Sequence, residues 1–165
     1  MDTLVEDFEH TNFKNGVLWN GDLHWISDRQ CTLCFDMEKE CLKPITPSLP
    51  IPLRKWDFRY FGESGWCLFV IEFKDLGGMF FDIFESARDY SNWVLKYHVD
   101  LAPLKTLYPS MVDEDDIQPC CNELYKVCIP CFLNDEKERK AKLGISVLRK
   151  IILYDINDMT VKEIA

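Results

Sequence analysis

Apolar and polar residues alternate along most of this chain in short runs separated by turn-forming residues, the pattern of antiparallel strands. The first clear run is Gly16-Val17-Leu18-Trp19-Asn20-Gly21-Asp22-Leu23-His24-Trp25-Ile26. Asn-Gly suits a type I′ turn, which needs positive φ at both central residues. A hairpin with Asn20-Gly21 at its tip sets Leu18 against Leu23 and Gly16 against Trp25. The bare glycine leaves room for the indole to lie across the neighbouring strand.

The pattern then repeats itself. Leu33-Cys34-Phe35-Asp36-Met37 through Ile45 reads apolar, apolar, aromatic, Asp, apolar, then a polar turn and renewed alternation. Ile152-Leu153-Tyr154-Asp155-Ile156 through Ile164 reads the same way, and each segment predicts a hairpin. A looser copy starts at Phe80-Phe81-Asp82-Ile83, breaks over a polar loop from Glu85 to Tyr90, and resumes at Trp93-Val94-Leu95-Lys96-Tyr97. Another strand pair precedes each copy. Before the looser copy, Trp56 to Phe61 and Trp66 to Phe73 flank Gly62-Glu63-Ser64-Gly65. Before the last, Tyr125 to Leu133 and Leu143 to Leu148 flank a charged loop, Asn134 to Lys142.

Three four-stranded units follow, over 16–45, 56–98 and 125–164. Pro-rich 46–52 links the first two, and a short helix over Leu101 to Tyr108 plus an acidic loop links the second and third. Antiparallel four-stranded units recurring every ~40–50 residues are the signature of propeller blades. The expected fold is therefore all-β: antiparallel four-stranded repeats in a partial, about three-bladed β-propeller-like domain, with a sandwich or open barrel as the alternative. Residues 1–14 read as an N-terminal leader and 15–165 as the β-repeat domain. Propellers typically close with about four to eight blades, so three leave exposed flanks open to self-association through sheet edges.

Composition narrows the function. The chain has 165 residues, enough for one well-cored domain, and 13% aromatic residues, which suit a half-buried pleated surface. Its net charge of −9 argues against nucleic acid and anionic membranes as partners. Asp113-Glu114-Asp115-Asp116 reads as a solvated loop. No signal peptide or span-length apolar run is visible, so the expected location is cytoplasmic or nuclear. The eight cysteines then lie in a reducing compartment, where disulfides are not expected. Cys31/Cys34 and Cys128/Cys131 are Cys-x-x-Cys pairs, but both lie in strand-like stretches, where residues three apart face opposite sides. They read as core fillers, with zinc as the alternative, so no metal or cofactor is expected.

The Gly16–Ile26 segment resembles the G-V-x-W-N-G-x-I/L-H-W motif of the F-box-associated domain of plant kelch-like F-box proteins. Arg59-Tyr60-Phe61-Gly62-Glu63-Ser64, then Arg88-Asp89-Tyr90-Ser91-Asn92-Trp93 through Leu101, then Ile152-Leu153-Tyr154-Asp155 are similar to that family in the same order. The resemblance runs from about Asn12 to Ile164. It implies a non-catalytic protein-interaction domain, the substrate-recognition part of a cullin-type ubiquitin ligase, holding an unidentified target protein for ubiquitination. Such proteins dock on a Skp adaptor through an N-terminal F-box. Met1 to Lys14 is too short for that helical bundle, so the expected partner is the target rather than the adaptor.

Candidate chemistry is sparse. Asp22 and His24 share a strand face and would serve an acid–base pair, but a local hydrogen bond that caps the hairpin accounts for His24 as well. His98 ends a strand similarly, and His10 lies in the polar leader. Nothing in the spacing selects a cysteine–histidine pair, and Gly77-Gly78 reads as a hairpin turn rather than a phosphate cradle. No catalytic residue is assigned, and an enzyme or a zinc-binding β domain using His24 or the cysteine pairs stands as the alternative. Trp56, Trp66 and Trp93 lie near unit edges or loops and read as core residues; the target-binding residues are unassigned.

Overall fold

The computed structural model of the chain describes residues 11, 13–27, 32–45, 58–74, 79–109, 127–147 and 149–165. They form three four-stranded antiparallel sheets, each a simple meander. Sheet 1 holds β1 (Val17–Trp19), β2 (Asp22–Ile26), β3 (Thr32–Asp36) and β4 (Cys41–Ile45). Sheet 2 holds β5 (Phe58–Ser64), β6 (Cys67–Phe73), β7 (Phe80–Ser86) and β8 (Trp93–Asp100). Sheet 3 holds β9 (Cys128–Asp135), β10 (Lys140–Val147), β11 (Lys150–Asp155) and β12 (Thr160–Glu163). The expected helix after β8 is a single turn, α1 (Leu104–Leu107). The 46–52 linker, the 113–116 acidic run, His10, Cys31, Trp56 and Gly77-Gly78 lie outside the described residues.

Three sheets stand side by side, with β5 packed against β1 on one flank and β9 on the other. This is the expected all-β, open and partial propeller-like arrangement. Sheet 2 is in the middle, so both its faces are covered. Leu68, Val70, Phe84 and Trp93 meet Trp19, Val17 and Ile26 of sheet 1. The opposite face, with Phe69, Ile71, Phe73, Phe81 and Ile83, meets Phe132, Leu143, Ile145, Ile152 and Tyr154 of sheet 3. Every residue of β6 is consequently buried. That explains why Cys67 to Ile71 is an unbroken apolar run instead of an alternating one.

Register follows the expected turn chemistry in sheet 1. Leu18 pairs with Leu23, and Val17 with His24, which sets Gly16 against Trp25. A Cβ on Gly16 would lie 2.6 Å from Trp25 Nε1. The indole occupies that gap and donates to Phe13 O at 3.1 Å. Thr11 also bridges Ser27, so the chain just ahead of β1 is fastened to sheet 1.

Three expectations need correction. The charged loop of sheet 3 is only residues 136–139, because β9 continues to Asp135 and β10 starts at Lys140. Asp135 makes this possible: its Oδ1 accepts from Lys137 N and Glu138 N and closes the turn. The looser copy is also out of register with its fellows. Asp36 and Asp155 end their strands and cap turns, whereas Asp82 lies within β7, which runs on to Ser86. Finally, Cys128 and Cys131 share a face. A bulge sets Cys128 opposite Ser146 and Cys131 opposite Gly144, so three steps on β9 match two on β10. Ile129 and Phe132 turn together into the core for the same reason.

The two-sided core sets a stability prediction. Phe69 is fully buried and meets Phe132 edge-on, with ring centroids 4.8 Å apart. Phe69→Ala should cost about 3–5 kcal/mol, whereas Leu18→Ala, at a side chain 64% exposed, should change stability by less than about 0.5 kcal/mol. Denaturant melts of the two variants check this.

Candidate functional site: the hairpin end

Meanders of four strands place their first and third turns at one end. Cross-contacts bring those turns together from all three sheets. Asn20 Nδ2 donates to Arg88 O at 3.3 Å, joining the β1–β2 tip to the loop after β7. Met37 N donates to Asp22 Oδ1 at 3.0 Å, bringing in the β3–β4 turn. The Arg88 guanidinium lies 3.4 Å from Glu136 Oε2 in the β9–β10 turn. Ala141 N donates to Asn157 Oδ1 at 2.9 Å, adding the β11–β12 turn.

Backbone conformation marks the same end. Asn20, Glu40, Trp66, Tyr90, Arg139 and Met159 all have positive φ, and each belongs to one of these turns. Asn is at home in that region, but the other side chains each cost roughly 1–2 kcal/mol there. Three of the turns share a design: Asp36, Asp135 or Asp155 accepts backbone N–H bonds, and the left-handed residue four places on immediately precedes the returning strand. Lys39 N–H first, then the Lys43 ammonium, hold the Asp36 carboxyl down at about 2.

The β5–β6 tip sits at the centre, a two-residue turn of Gly65-Trp66 with φ of 57° and 69°. Gly65 presses so closely on sheet 3 that a Cβ would lie 2.7 Å from Asn134 O. Asn134 N donates to Ser64 Oγ at 2.7 Å. From the other side Trp19 Nε1 donates to Trp66 O at 2.8 Å. Trp66 N donates to Glu63 Oε1, also at 2.8 Å. The backbone is thus gripped by both neighbouring sheets while the Trp66 side chain stands 77% exposed. Core packing, expected for Trp66 and Trp93 alike, holds for Trp93 at 9% exposure and fails for Trp66. The missed signal was turn length: with β5 running to Ser64, position 66 is the tip itself and has no core to enter.

His24 proves to be a part of this joint. It is fully buried, and Trp19 and Tyr90 lie against it at ring-centroid distances of 5.5 and 5.7 Å. Nδ1 lies 3.1 Å from Asp22 O, a carbonyl that can only accept, so the Nδ1–H donates. Nε2 then accepts from Tyr90 OH at 2.9 Å. The Asp22 carboxylate turns elsewhere, to Met37 N and the Cys34 thiol. Asp22 and His24 therefore form no side-chain acid–base pair. Cys34 lies opposite His24, and burial above all, with Asp22 next, pushes its thiol up to about 11. A thiol so raised is a poor nucleophile. His98 is remote from this joint: it pairs with Asp82, which also meets Lys74.

Next to Trp66, Cys67, Glu85 and Glu136 bring one potential ligand atom each within 4.8 Å of one another. The carboxylates are already neutralised, Glu85 by Lys96 at 2.9 Å and Glu136 by Arg88. The Cys67 thiol donates to Glu136 Oε1 at 3.5 Å, and burial raises it. The group reads as an ion-pair seam between sheets 2 and 3. Cys128 and Cys131 belong to no such group among the described residues.

No family model matches the chain. It is similar to an F-box protein of Arabidopsis thaliana, with 24% identity over 163 residues, covering 92% of this chain and 37% of that protein. Among solved structures it is similar to the extracellular domain of a one-component system from B. thetaiotaomicron, at 9% identity and a TM-score of 0.41, covering 90% of this chain and 16% of that one. That second likeness is too loose to bear on fold or function. No helix among the described residues is long and apolar enough to cross a membrane.

Burial holds the His24 imidazole below its ordinary value of 6.5, so the unfolded chain takes up a proton before the folded one. Its contribution to stability is complete above about pH 6.5 and falls as pH drops towards the folded value, by at most about 1.4 kcal/mol per pH unit. Melts between pH 5 and 7.5 should show this slope, and His24→Phe should flatten it. An equal slope in that variant would place the titration elsewhere.

Proposed function

We propose that this chain is a non-catalytic protein-recognition module, the part of an F-box-type ubiquitin-ligase subunit that holds the target, and that the hairpin end is its binding face. The module works in the cytosol or nucleus, where cullin ligases act. The likeness to an F-box protein along nearly the whole chain supports a role in protein interaction. The chain spans little more than a third of that relative, so adaptor docking is not assigned to the three sheets.

One observation carries the choice of face. Trp66 is a large apolar side chain in a left-handed conformation, at a tip where Gly or Asn would be free of strain, and it gains almost no burial there. Strain of this kind without packing in return is the mark of a functional position. Its backbone is already fixed by Trp19 and Asn134, so binding through the indole orders little that is not ordered beforehand. Exposed, pre-positioned Trp is the residue type most often found at the energetic centre of protein interfaces. A non-catalytic role accords with the surroundings of His24, whose ring nitrogens are both engaged inside the joint.

A single substitution separates binding from folding. Trp66→Gly should leave stability unchanged or raise it by up to about 1 kcal/mol, because the left-handed strain is removed. The same change should weaken capture of the target by about 30-fold, or about 2 kcal/mol. Photo-crosslinking from position 66, with position 107 as an exposed control, identifies the target. Its ubiquitination is then compared with and without Trp66→Gly. Unchanged capture and ubiquitination would remove the hairpin end as the binding face.

A further inference from the structure

The hairpin end has a charge imbalance that bears on which target it takes. Its ion pairs are Arg88–Glu136, Lys39–Asp36, Lys43–Asp36 and Lys140–Glu138. Set those aside, and Glu38, Glu40, Glu63, Asp89 and Asp158 meet no cation among the described residues. Against them stand Lys137 and Arg139, which meet no carboxylate among the described residues. Glu63 and Asp89 are the important ones. Glu63 closes the same hairpin as Trp66, two residues from its tip. Asp89 lies beside Arg88, whose carbonyl accepts from Asn20 in the β1–β2 tip that abuts Trp66. The chain as a whole carries −9, so the wider field has the same sign.

An exposed indole on a turn end whose Glu63 and Asp89 meet no cation among the described residues suits a cationic partner. The ring quadrupole attracts a guanidinium or ammonium laid over it, and Trp does this better than Tyr or Phe. Flanking carboxylates accept charge-assisted hydrogen bonds, which Arg donates in bidentate fashion. Field and ring thus select the same group. We propose that the hairpin end recognises a basic segment of its target protein, with an Arg or Lys side chain stacked on Trp66 and its neighbours met by Glu63 and Asp89. The proposal rests on the hairpin end being the binding face and adds the chemistry of the target.

Three labelled peptides of equal length test it on the full chain: one rich in Arg, one rich in Glu and one of Gly and Ser. Trp66 is followed by the ¹⁹F signal of 5-fluorotryptophan-labelled protein, assigned by its loss in Trp66→Phe. The Arg-rich peptide should bind and shift the Trp66 signal, and its affinity should fall about tenfold from 50 to 300 mM salt. Trp66→Phe should keep most of the binding, while Trp66→Ala and the pair Glu63→Lys, Asp89→Lys should each lose about tenfold. Trp66→Ala should melt as the parent does. The Lys pair gives up the turn hydrogen bonds to Trp66 N and Ser91 N, so its binding is read well below its own melting temperature. Glu63→Gln with Asp89→Asn, which keep an acceptor oxygen, should show the same loss of binding. Binding of the Arg-rich peptide that ignores Trp66, or equal binding of the neutral or acidic peptide, overturns the proposal. The two readings fail separately. A target crosslinked through position 66 by an acidic or neutral segment ends the basic-segment proposal and leaves the binding face intact, whereas no target contact at position 66 ends both.

Discussion

Burial of β6 on both faces is the constraint from which the rest of the molecule follows. A strand covered on one side only permits alternation of apolar and polar residues; β6 has no side to spare, and Cys67 to Ile71 is apolar throughout. Leu68 and Val70 serve sheet 1 while Phe69, Ile71 and Phe73 serve sheet 3. Sheet 2 is thereby the common partner of two sheets that share little with each other. The larger core lies on the sheet 3 side, where Phe69, Phe81 and Phe132 are fully buried. The sheet 1 side is smaller and depends on aromatic contacts, with Trp19 edge-on to Tyr90 at 4.9 Å. Glu72, the single charged residue in β6, lies towards the far end, paired with Lys74.

Holding both outer sheets on one central sheet forces their turns to meet. Most of the structure's backbone strain and its few long-range polar bonds gather where they do. Trp19, Asn20, Asp22 and His24 each make a hydrogen bond that ties a tip to another tip or to its own hairpin. Such bonds fix direction and contribute only about 1 kcal/mol each to stability. Their joint effect is to present Trp66 on a backbone that has no freedom left to lose.

Much of this was legible in the sequence, for identifiable reasons. Asn20-Gly21 named a turn type, the turn type fixed the register, and the register put Gly16 under Trp25. Aromatic-Asp pairs at Phe35-Asp36 and Tyr154-Asp155 marked hairpins because those aspartates cap the turns. Where the same pair occurred at Phe81-Asp82 the signal misled, since Asp82 serves an ion pair within the strand. Pattern also could not see the β9 bulge, which depends on how Gly144 and Ser146 face their partners, and so Cys128 and Cys131 were set on opposite sides. Trp66 escaped because composition favours burying Trp, and only the length of β5 reveals that the position has nothing to be buried against.

The site itself was the least legible part, and the cause is a division of labour within the hairpin end. The motif that carries the family resemblance, Gly16 through Trp25, is used almost entirely for construction: Gly16 admits an indole, Asn20-Gly21 turns the chain, Trp19 and His24 lock the joint, and Trp25 covers the edge. None of these side chains stands free. The exposed large side chains of the same end, Met37, Trp66 and Met159, occupy turn positions whose backbone is held by others, by Asp36, by Asn134 and Trp19, and by Asp155. A turn held from outside its own tip tolerates exchange of the tip residue without loss of fold. The motif therefore identifies the scaffold, and the tips, which no motif specifies, are the positions left free to vary on it.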